Sequence, residues 1–450
     1  MKKYLIQIVC LLLSQGYAIG QQQTWSLEEC IRYAIEHNIQ IKQQVLQTMY
    51  QKNALDLSKL SRLPTLNGQV THNYSFGRAL DETTYEFTAN QNIQSNSFYV
   101  GGSMNLFNGL QNYNTIQKNK YEVLASELDL QKIKDNIALN IALAYLQILL
   151  NNELVQATNN QLMITRQQIE KTRKMVDAGS LAKGNLLQIE SQAAGEELQL
   201  ITTRNQLDIS YLNLTQLLEL QTPEGFQIIT PEIQIDTNSV ISGEIGDIFS
   251  QAEGLRPEIK SAEMKLAASE FDRKIASGAR SPQLSMNHSF STRYSDIAIK
   301  PSSPLTKYSF SDQLNDNINY GVGFSLRIPI LNGWQVNKNI ANSRLDVENS
   351  LYVLENEKKQ LYKNIQQSYA DAVAALKKYT ASIKAVTSME ESFRYTEQKF
   401  NVGMVTPVDY NAAKTQLLNT QSDMAQAKYE FVFKTKVLDF YKGIPLNLAK

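Results

Sequence analysis

Apolar residues along this chain recur at helical spacing, then at every second position, then at helical spacing again, and the whole succession occurs twice. In residues 26–60, Leu27, Ile31, Ala34, Ile35 and Ile39 share one side of a helix. Ser26 and Glu29 stand at capping-box spacing where it opens, and Pro64 closes it. Over residues 66–78 the period becomes two: Leu66, Val70, His72, Tyr74 and Phe76 alternate with Asn67, Gln69, Thr71, Asn73 and Ser75. Beyond a polar stretch, residues 81–95, a second strand is expected over residues 97–107. There Phe98, Val100, Gly102, Met104 and Leu106 alternate with Tyr99, Gly101, Ser103 and Asn105. Asn108-Gly109 then turns the chain into a helix to about residue 176, free of Pro and Gly, with a stripe through Leu130, Ile133, Ile137, Ile141, Tyr145 and Leu149. At about 1.5 Å per residue it would be on the order of 100 Å long.

A glycine turn leads to another helix over residues 184–220, and residues 221–243 form a Pro- and Gly-bearing connector with one short strand over residues 226–229. The pattern then restarts. Ile245, Phe249, Ala252 and Ile259 match Leu27, Ile31, Ala34 and Ile41 at an offset of 218, and Pro282 matches Pro64. Strands follow over residues 284–294 and, past a polar loop with Pro301 and Pro304, 318–331, where Val322, Phe324, Leu326 and Ile328 alternate with Gly323, Ser325 and Arg327. Asn332-Gly333 repeats Asn108-Gly109 at an offset of 224, followed by a long helix over residues 335–400, a turn, and a helix to about residue 441. The change of offset falls between the strands, where a loop absorbs it. The chain therefore reads as repeats over residues 21–220 and 244–441, a connector over 221–243 and a tail over 442–450.

The two turns are themselves similar. MVDAGSLAKGNLLQIESQ (residues 175–192) and KFNVGMVTPVDYNAAKTQ (residues 399–416) align Gly179 with Gly403, Asn185 with Asp409 and Gln192 with Gln416. In both, a glycine able to adopt the left-handed conformation ends a helix and a few residues start the next. Gly179 and Gly184 both read as caps. Thr406-Pro407-Val408-Asp409 is an N-cap, a proline in the first turn and a capping-box acid.

Charge is balanced, 44 basic against 44 acidic residues, so no field of one sign recruits nucleic acid. Residues 1–20 read as a signal peptide: Lys2 and Lys3, an apolar run, then Ala18-Ile19-Gly20 as a cleavage site. The exported chain would keep a single cysteine, Cys30, and no disulfide. No later segment approaches the roughly 18 apolar residues of a spanning helix, so any membrane crossing falls to the strands. Lipid-facing sheets must close, and four strands are too few for a spanning barrel. Shared among three copies they make twelve. The expectation is an α+β membrane protein, one third of a 12-stranded trimeric barrel continued by a long α-helical barrel. Against it stands a soluble sandwich of hairpins on a helical bundle; the apolar faces over residues 98–106 and 318–330 carry no charge and the opposite ones show Asn, Ser and Gly in place of the Lys and Glu of a solvated sheet, which disfavours that alternative.

The opening WSLEECIRYAIEHN (Trp25 to Asn38), the internal repeat and FNVGMVTPVDY (Phe400 to Tyr410) resemble the TolC-like outer-membrane efflux proteins over nearly the whole exported chain. The resemblance implies a homotrimer in the outer membrane reaching into the periplasm. It would serve as passive exit duct of a tripartite efflux or type I secretion system, with a periplasmic adaptor (membrane fusion) protein and an inner-membrane pump of RND, ABC or MFS type. It also implies adaptor docking at Gly179, Ser180, Leu181, Gly403, Met404, Val405 and Thr406, and a gate at Asp409 with Asn185 as its uncharged counterpart. A second acid found in some relatives is here Ala412. A tyrosine and a basic residue that tie helices shut in others are Phe400 and Val405. Phe98, Val100, Met104, Leu106, Val322, Phe324, Leu326 and Ile328 would face lipid, with Tyr74, Tyr99, Tyr294 and Tyr320 as candidates for interfacial girdles.

Chemistry is otherwise sparse. His37, His72 and His288 lack metal-ligand spacing, and no nucleophile elbow or phosphate loop appears, so neither cofactor, metal nor enzymatic activity is expected. The acid pairs Glu28-Glu29, Glu196-Glu197 and Glu390-Glu391 read as solvated helix faces. The competing functional reading is a secreted coiled-coil structural protein or adhesin, which leaves the two strand pairs unexplained.

Overall fold

A computed structural model describes residues 24–78, 80, 85–87, 92–233, 235, 243–300 and 307–448. The expected signal peptide lies outside the described residues. In chain order the elements are β1 (Thr24–Trp25), α1 (Leu27–His37), α2 (Ile39–Leu60), β2 (Asn67–Ser75), β3 (Ile93–Asn108), α3 (Gln111–Asp177), α4 (Lys183–Leu217) and β4 (Gln227–Ile228). Then follow α5 (Ile245–Leu255), α6 (Pro257–Gly278), β5 (Gln283–Ser295), α7 (Phe310–Asp316), β6 (Asn319–Arg327), α8 (Gln335–Asn401) and α9 (Pro407–Tyr441). The repeat is exact in its helices: α1 and α5 have 11 residues, α2 and α6 have 22, α3 and α8 have 67, α4 and α9 have 35. The chain forms two compact units.

The helical unit comprises residues 24–45, 129–260 and 357–448 among those described. Its core gathers Leu27, Cys30, Ala34, Ile137, Ile141, Tyr145, Leu149, Leu214 and Leu218. Tyr145 is 1% exposed and its hydroxyl lies 2.6 Å from the Ile229 carbonyl and 3.1 Å from that of Trp25, beside the parallel pairing of β1 with β4. The expected short strand at residues 226–229 thus finds its partner at the start of the chain. Burial pushes the Cys30 thiol up to about 12.

The capping box forms: the Ser26 amide donates to Glu29 at 2.8 Å and the Glu29 amide to the Ser26 hydroxyl at 3.2 Å. The helix it opens is not continuous, however. Asn38 adopts φ −61°, ψ 131° and separates α1 from α2; Arg256, φ −68°, ψ 129°, separates α5 from α6 at the same repeat position. Arg256 precedes Pro257, which disfavours helical backbone at the residue before it. At Asn38 the side-chain oxygen instead accepts from the amides of Gln40 at 2.9 Å and Ile41 at 3.3 Å, restarting the helix.

One 18-residue window of α3 is apolar enough to span a membrane by composition, at mean hydropathy 1.3, contrary to the expectation that none exists. Ile137, Ile141, Ala142, Tyr145, Leu146, Ile148 and Leu149 on this helix are buried in the helical unit. They are core.

The second unit comprises residues 46–128 and 261–356, where described. Its sheet is antiparallel in the order β2-β3-β5-β6. The register puts Val70, Phe98, Val100, Met104, Met286, Phe290, Val322, Phe324 and Leu326 on one face and Gln69, Ser97, Ser103, Asn287, Ser289 and Ser325 on the other. The apolar face is open: Val70 is 70% exposed, Val322 67% and Phe324 68%. The sheet does not close; β2 and β6 are its edges. Helix α7 occupies the loop expected to be merely polar. Gln313, fully buried, accepts from the Ser295 amide and donates to the Ser295 and Tyr308 carbonyls, all at 2.9 Å. Phe310 sets its ring against Phe98 and Tyr294.

Candidate functional site

Both turns belong to the helical unit and both are built by the same backbone device. After α3, Gly179 (φ 75°) donates to the Val176 carbonyl and Ser180 to that of Met175, each at 2.9 Å. After α8, Gly403 (φ 78°) donates to Phe400 at 3.0 Å and Met404 to Lys399 at 2.9 Å. These paired bonds satisfy carbonyls that a helix end leaves orphaned, and they require a left-handed residue. Gly184 plays no such part: it lies inside α4 with ordinary helical backbone, one residue beyond its start.

The helix starts differ. Thr406 caps α9, its hydroxyl accepting from the Asp409 amide at 3.2 Å and donating to the Asp409 carboxylate at 2.7 Å. Ala182 precedes α4 and offers no side-chain cap. Asn185 and Asp409 are each the third residue of their helix, so the alignment holds in three dimensions. Asp409 is exposed while engaged as a cap.

The two turns come together. A groove of about 770 Å³ is lined by Lys171, Met175, Leu181 and Asn185 from the first and Phe400 to Val408 from the second. Gly179, Ser180 and Asp409 are close in sequence to this lining but outside it. Met404 (79% exposed), Val402 (69%) and Val408 (53%) give the rim an apolar character. Behind it, Tyr410 is buried, stacks on Phe400 with centroids 4.4 Å apart and meets Phe393 at 5.4 Å. Burial pushes its phenol up to about 12.

Deeper between the same helices one expectation is overturned. Glu196 is not on a solvated face: it is 8% exposed, and Lys414 is 2% exposed. The Lys414 ammonium donates to the Gln161 carbonyl at 2.9 Å and to the Thr165 hydroxyl, and stands 3.6 Å from Glu196. Glu196 accepts from Thr165 and, at 3.1 Å, from Gln192. Burial lowers the Lys414 pKa, and Glu196 opposes that shift. The clue was available in the spacing. Glu196 falls in line with Ile189, Leu200, Thr203 and Leu214, a buried stripe, so its burial was implied by the helix period.

On the sheet two expected lipid-facing residues are displaced. A bulge between Asn105 and Phe107 takes Leu106 out of the alternation, and Phe107 stands opposite Leu284 instead. Ile328 lies one residue past β6. Phe98, Val100, Met104, Val322, Phe324 and Leu326 share the apolar face. Of the tyrosines, Tyr74, Tyr294 and Tyr320 lie on that face at its loop end, whereas Tyr99 pairs with Gln69 and Ser291 on the polar one. His72 and His288 are on the apolar face. Among the described residues no cluster of His, Cys, Asp and Glu could hold a metal ion.

The described residues thus comprise a duplicated set of helical hairpins in one unit and, in the other, an antiparallel sheet with one uncharged apolar face. The chain belongs to the outer membrane efflux protein family, whose family model matches residues 30–219 and 248–435. Its place is accordingly the bacterial outer membrane. The chain is 23% identical over 305 residues to the outer membrane protein TolC of Escherichia coli K12, an alignment covering 67% of this chain and 60% of that TolC, less than two thirds of its length. It is 21% identical over 414 residues to the cation efflux system protein CusC of Escherichia coli O157:H7, covering 89% of this chain and 82% of CusC. A crystal structure of CusC superposes with TM-score 0.77 at 17% identity, over 95% of this chain and 96% of that one. The alternative of a secreted coiled-coil protein or adhesin falls with this membership.

Proposed function

We propose that three copies of the chain assemble into the passive exit duct of a tripartite efflux or type I secretion system. The observation that carries the reading is the open sheet. Its apolar face is exposed and uncharged, and its edge strands β2 and β6 end the ladder within one chain. Unpaired backbone in hydrocarbon costs several kcal/mol per group, so β6 of one copy pairs with β2 of the next until twelve strands close. The helices continue the barrel as a periplasmic tunnel that narrows at the two turns. There the groove lined by Leu181, Gly403, Met404, Val405 and Thr406, with Gly179 and Ser180 beside it, receives a helical hairpin of a periplasmic adaptor bridging to an inner-membrane pump. Asp409 and Asn185 guard the constriction. The duct performs no catalysis.

Membrane fractionation and sizing in mild detergent test the assembly. A detergent-dependent trimer is the expected product, and a cysteine pair placed on β2 and β6 should crosslink between copies. A water-soluble monomer would overturn the reading.

A further inference from the structure

We propose that Lys414 is the pivot between the two hairpins of each chain. At its level the hairpins stay locked, and only their ends beyond it separate when the turns open. This deepens the gate described above and rests on that reading.

The first hairpin is the last part of α3 with α4; the second is the last part of α8 with α9. Polar ties join them at three heights. Beside the turns, Lys171 of α3 donates to Asn401 of α8 at 2.8 Å in full view of solvent. Farther along, Lys428 of α9 reaches Glu153 of α3 at 3.4 Å with both side chains partly exposed. Between these two lies the Lys414 cluster, drawing Gln161 and Thr165 from α3, Gln192 and Glu196 from α4, and Lys414 from α9. It alone among the three is buried.

Burial decides which tie yields. An exposed pair exchanges protein partners for water at little cost. A buried ammonium drawn away from its carboxylate leaves two charges without partners in a medium that solvates them poorly. The Thr165 hydroxyl tightens this further, since its single proton goes to Glu196 while its oxygen accepts from Lys414. Separation at that level would break the network as a whole.

The packing points the same way. The groove of about 770 Å³ opens on the turn side of Lys414, between the ends of the hairpins. The Tyr410–Phe400–Phe393 stack holds α8 to α9 within the second hairpin and does not bridge to the first. The free ends run from Thr165 to Gly179 and from Gly403 to Lys414, on the order of 15–20 Å at 1.5 Å per residue.

The test uses spin-label pairs in the purified full chain with Cys10 and Cys30 replaced by Ala. One pair, Lys174→Cys with Val402→Cys, reports the free ends; the other, Gln156→Cys with Gln426→Cys, reports the far side of Lys414. Glu196→Gln should move the first pair to longer, broader distances, leave the second unchanged, and raise single-channel conductance in planar bilayers several-fold. Lys414→Met with Glu196→Leu, which removes both charges together, should restore short distances and low conductance. If Glu196→Gln lowers the melting temperature but leaves the first pair in place, the cluster is only structural and the proposal fails. It fails equally if both pairs lengthen together. Should Glu196→Gln not fold, Thr165→Val is read in the same way, since it loosens the cluster and keeps both charges. Absence of conductance in every protein, the unmodified chain included, would count against the duct instead, and the distances alone would then decide the pivot.

Discussion

Glu219 and Gly443 close α4 and α9 in the same left-handed conformation, at φ 58° and 79°, although only one of them is glycine. In both places the next residue's amide reaches back five positions, Leu220 to Thr215 at 2.9 Å and Ile444 to Asp439 at 3.0 Å. The side chain of Glu219 also holds a second helix, since its carboxylate accepts from the Ile39 amide at 3.2 Å, at the start of α2. A glycine there would relieve the backbone and lose that bond.

Glu219→Ala keeps the left-handed strain and loses the acceptor, so it should be less stable than both the parent and Glu219→Gly. Glu219→Gly should be more stable than Glu219→Ala by about 1 kcal/mol, the cost of a left-handed non-glycine residue. Thermal unfolding of the three proteins in one detergent gives the order.

Two glycines should respond very differently to alanine. A methyl at Gly403 meets no atom within contact range, so Gly403→Ala should cost only about 1–2 kcal/mol of backbone strain. A methyl at Gly102 would run into the carbonyl of Thr65. Thr65 and Ser103 also exchange hydrogen bonds there, at 2.9 Å and 3.1 Å, which leaves the backbone no room to retreat. Gly102→Ala should abolish the folded, detergent-stable protein, as expression in membranes followed by sizing will report.

Capping and gating at Asp409 can be separated. Thr406→Ala removes the cap and should cost about 1 kcal/mol in unfolding while leaving ion selectivity intact. Asp409→Asn keeps the amide that Thr406 holds and removes the charge, so it should reduce cation preference in planar bilayers at neutral pH. Equal selectivity for the Asn variant and the parent would leave Asp409 as a cap alone.

Lys414 gives a pH dependence with a definite sign. Its folded pKa lies below the ordinary 10.5, so between the two values the unfolded chain binds more protons and stability from this group rises with pH. Buried phenols such as Tyr145 and Tyr410 act oppositely, their raised values making stability fall as pH climbs past 10. The comparison with Lys414→Met isolates the lysine. The stability of wild type relative to that variant should grow as pH increases toward 10.5 and level off above it.

What was legible beforehand followed from range. The Ser26–Glu29 box spans four residues and could be read from them alone, as could the glycine caps at 179 and 403. The break at Asn38 was hidden because the apolar stripe runs on through Ile41, and the stripe reports burial, not continuity of backbone. The bulge at Leu106 was hidden for a related reason: Met104 and Leu106 keep a perfect alternation, while the slip is set by how β3 meets β5. Lys414 and Glu196 lie 218 residues apart, and only the packing of α3, α4 and α9 brings them together. The turns themselves were visible, but their shared groove required both hairpins in place.

The matched helix lengths say something about origin. Four pairs of helices, each pair equal to the residue, are what a duplicated gene leaves when insertions in the helical parts are purged. The copies diverged by length in the connection between strands, six residues longer from β5 to β6 than from β2 to β3, and the longer one contains α7. The ancestor was then a chain of half this size. A ring that, as proposed above, takes three of the present protein would have taken six of such a half, with all of its turns alike; the present pair, one capped by Thr406 and one begun at Ala182, has lost that equivalence.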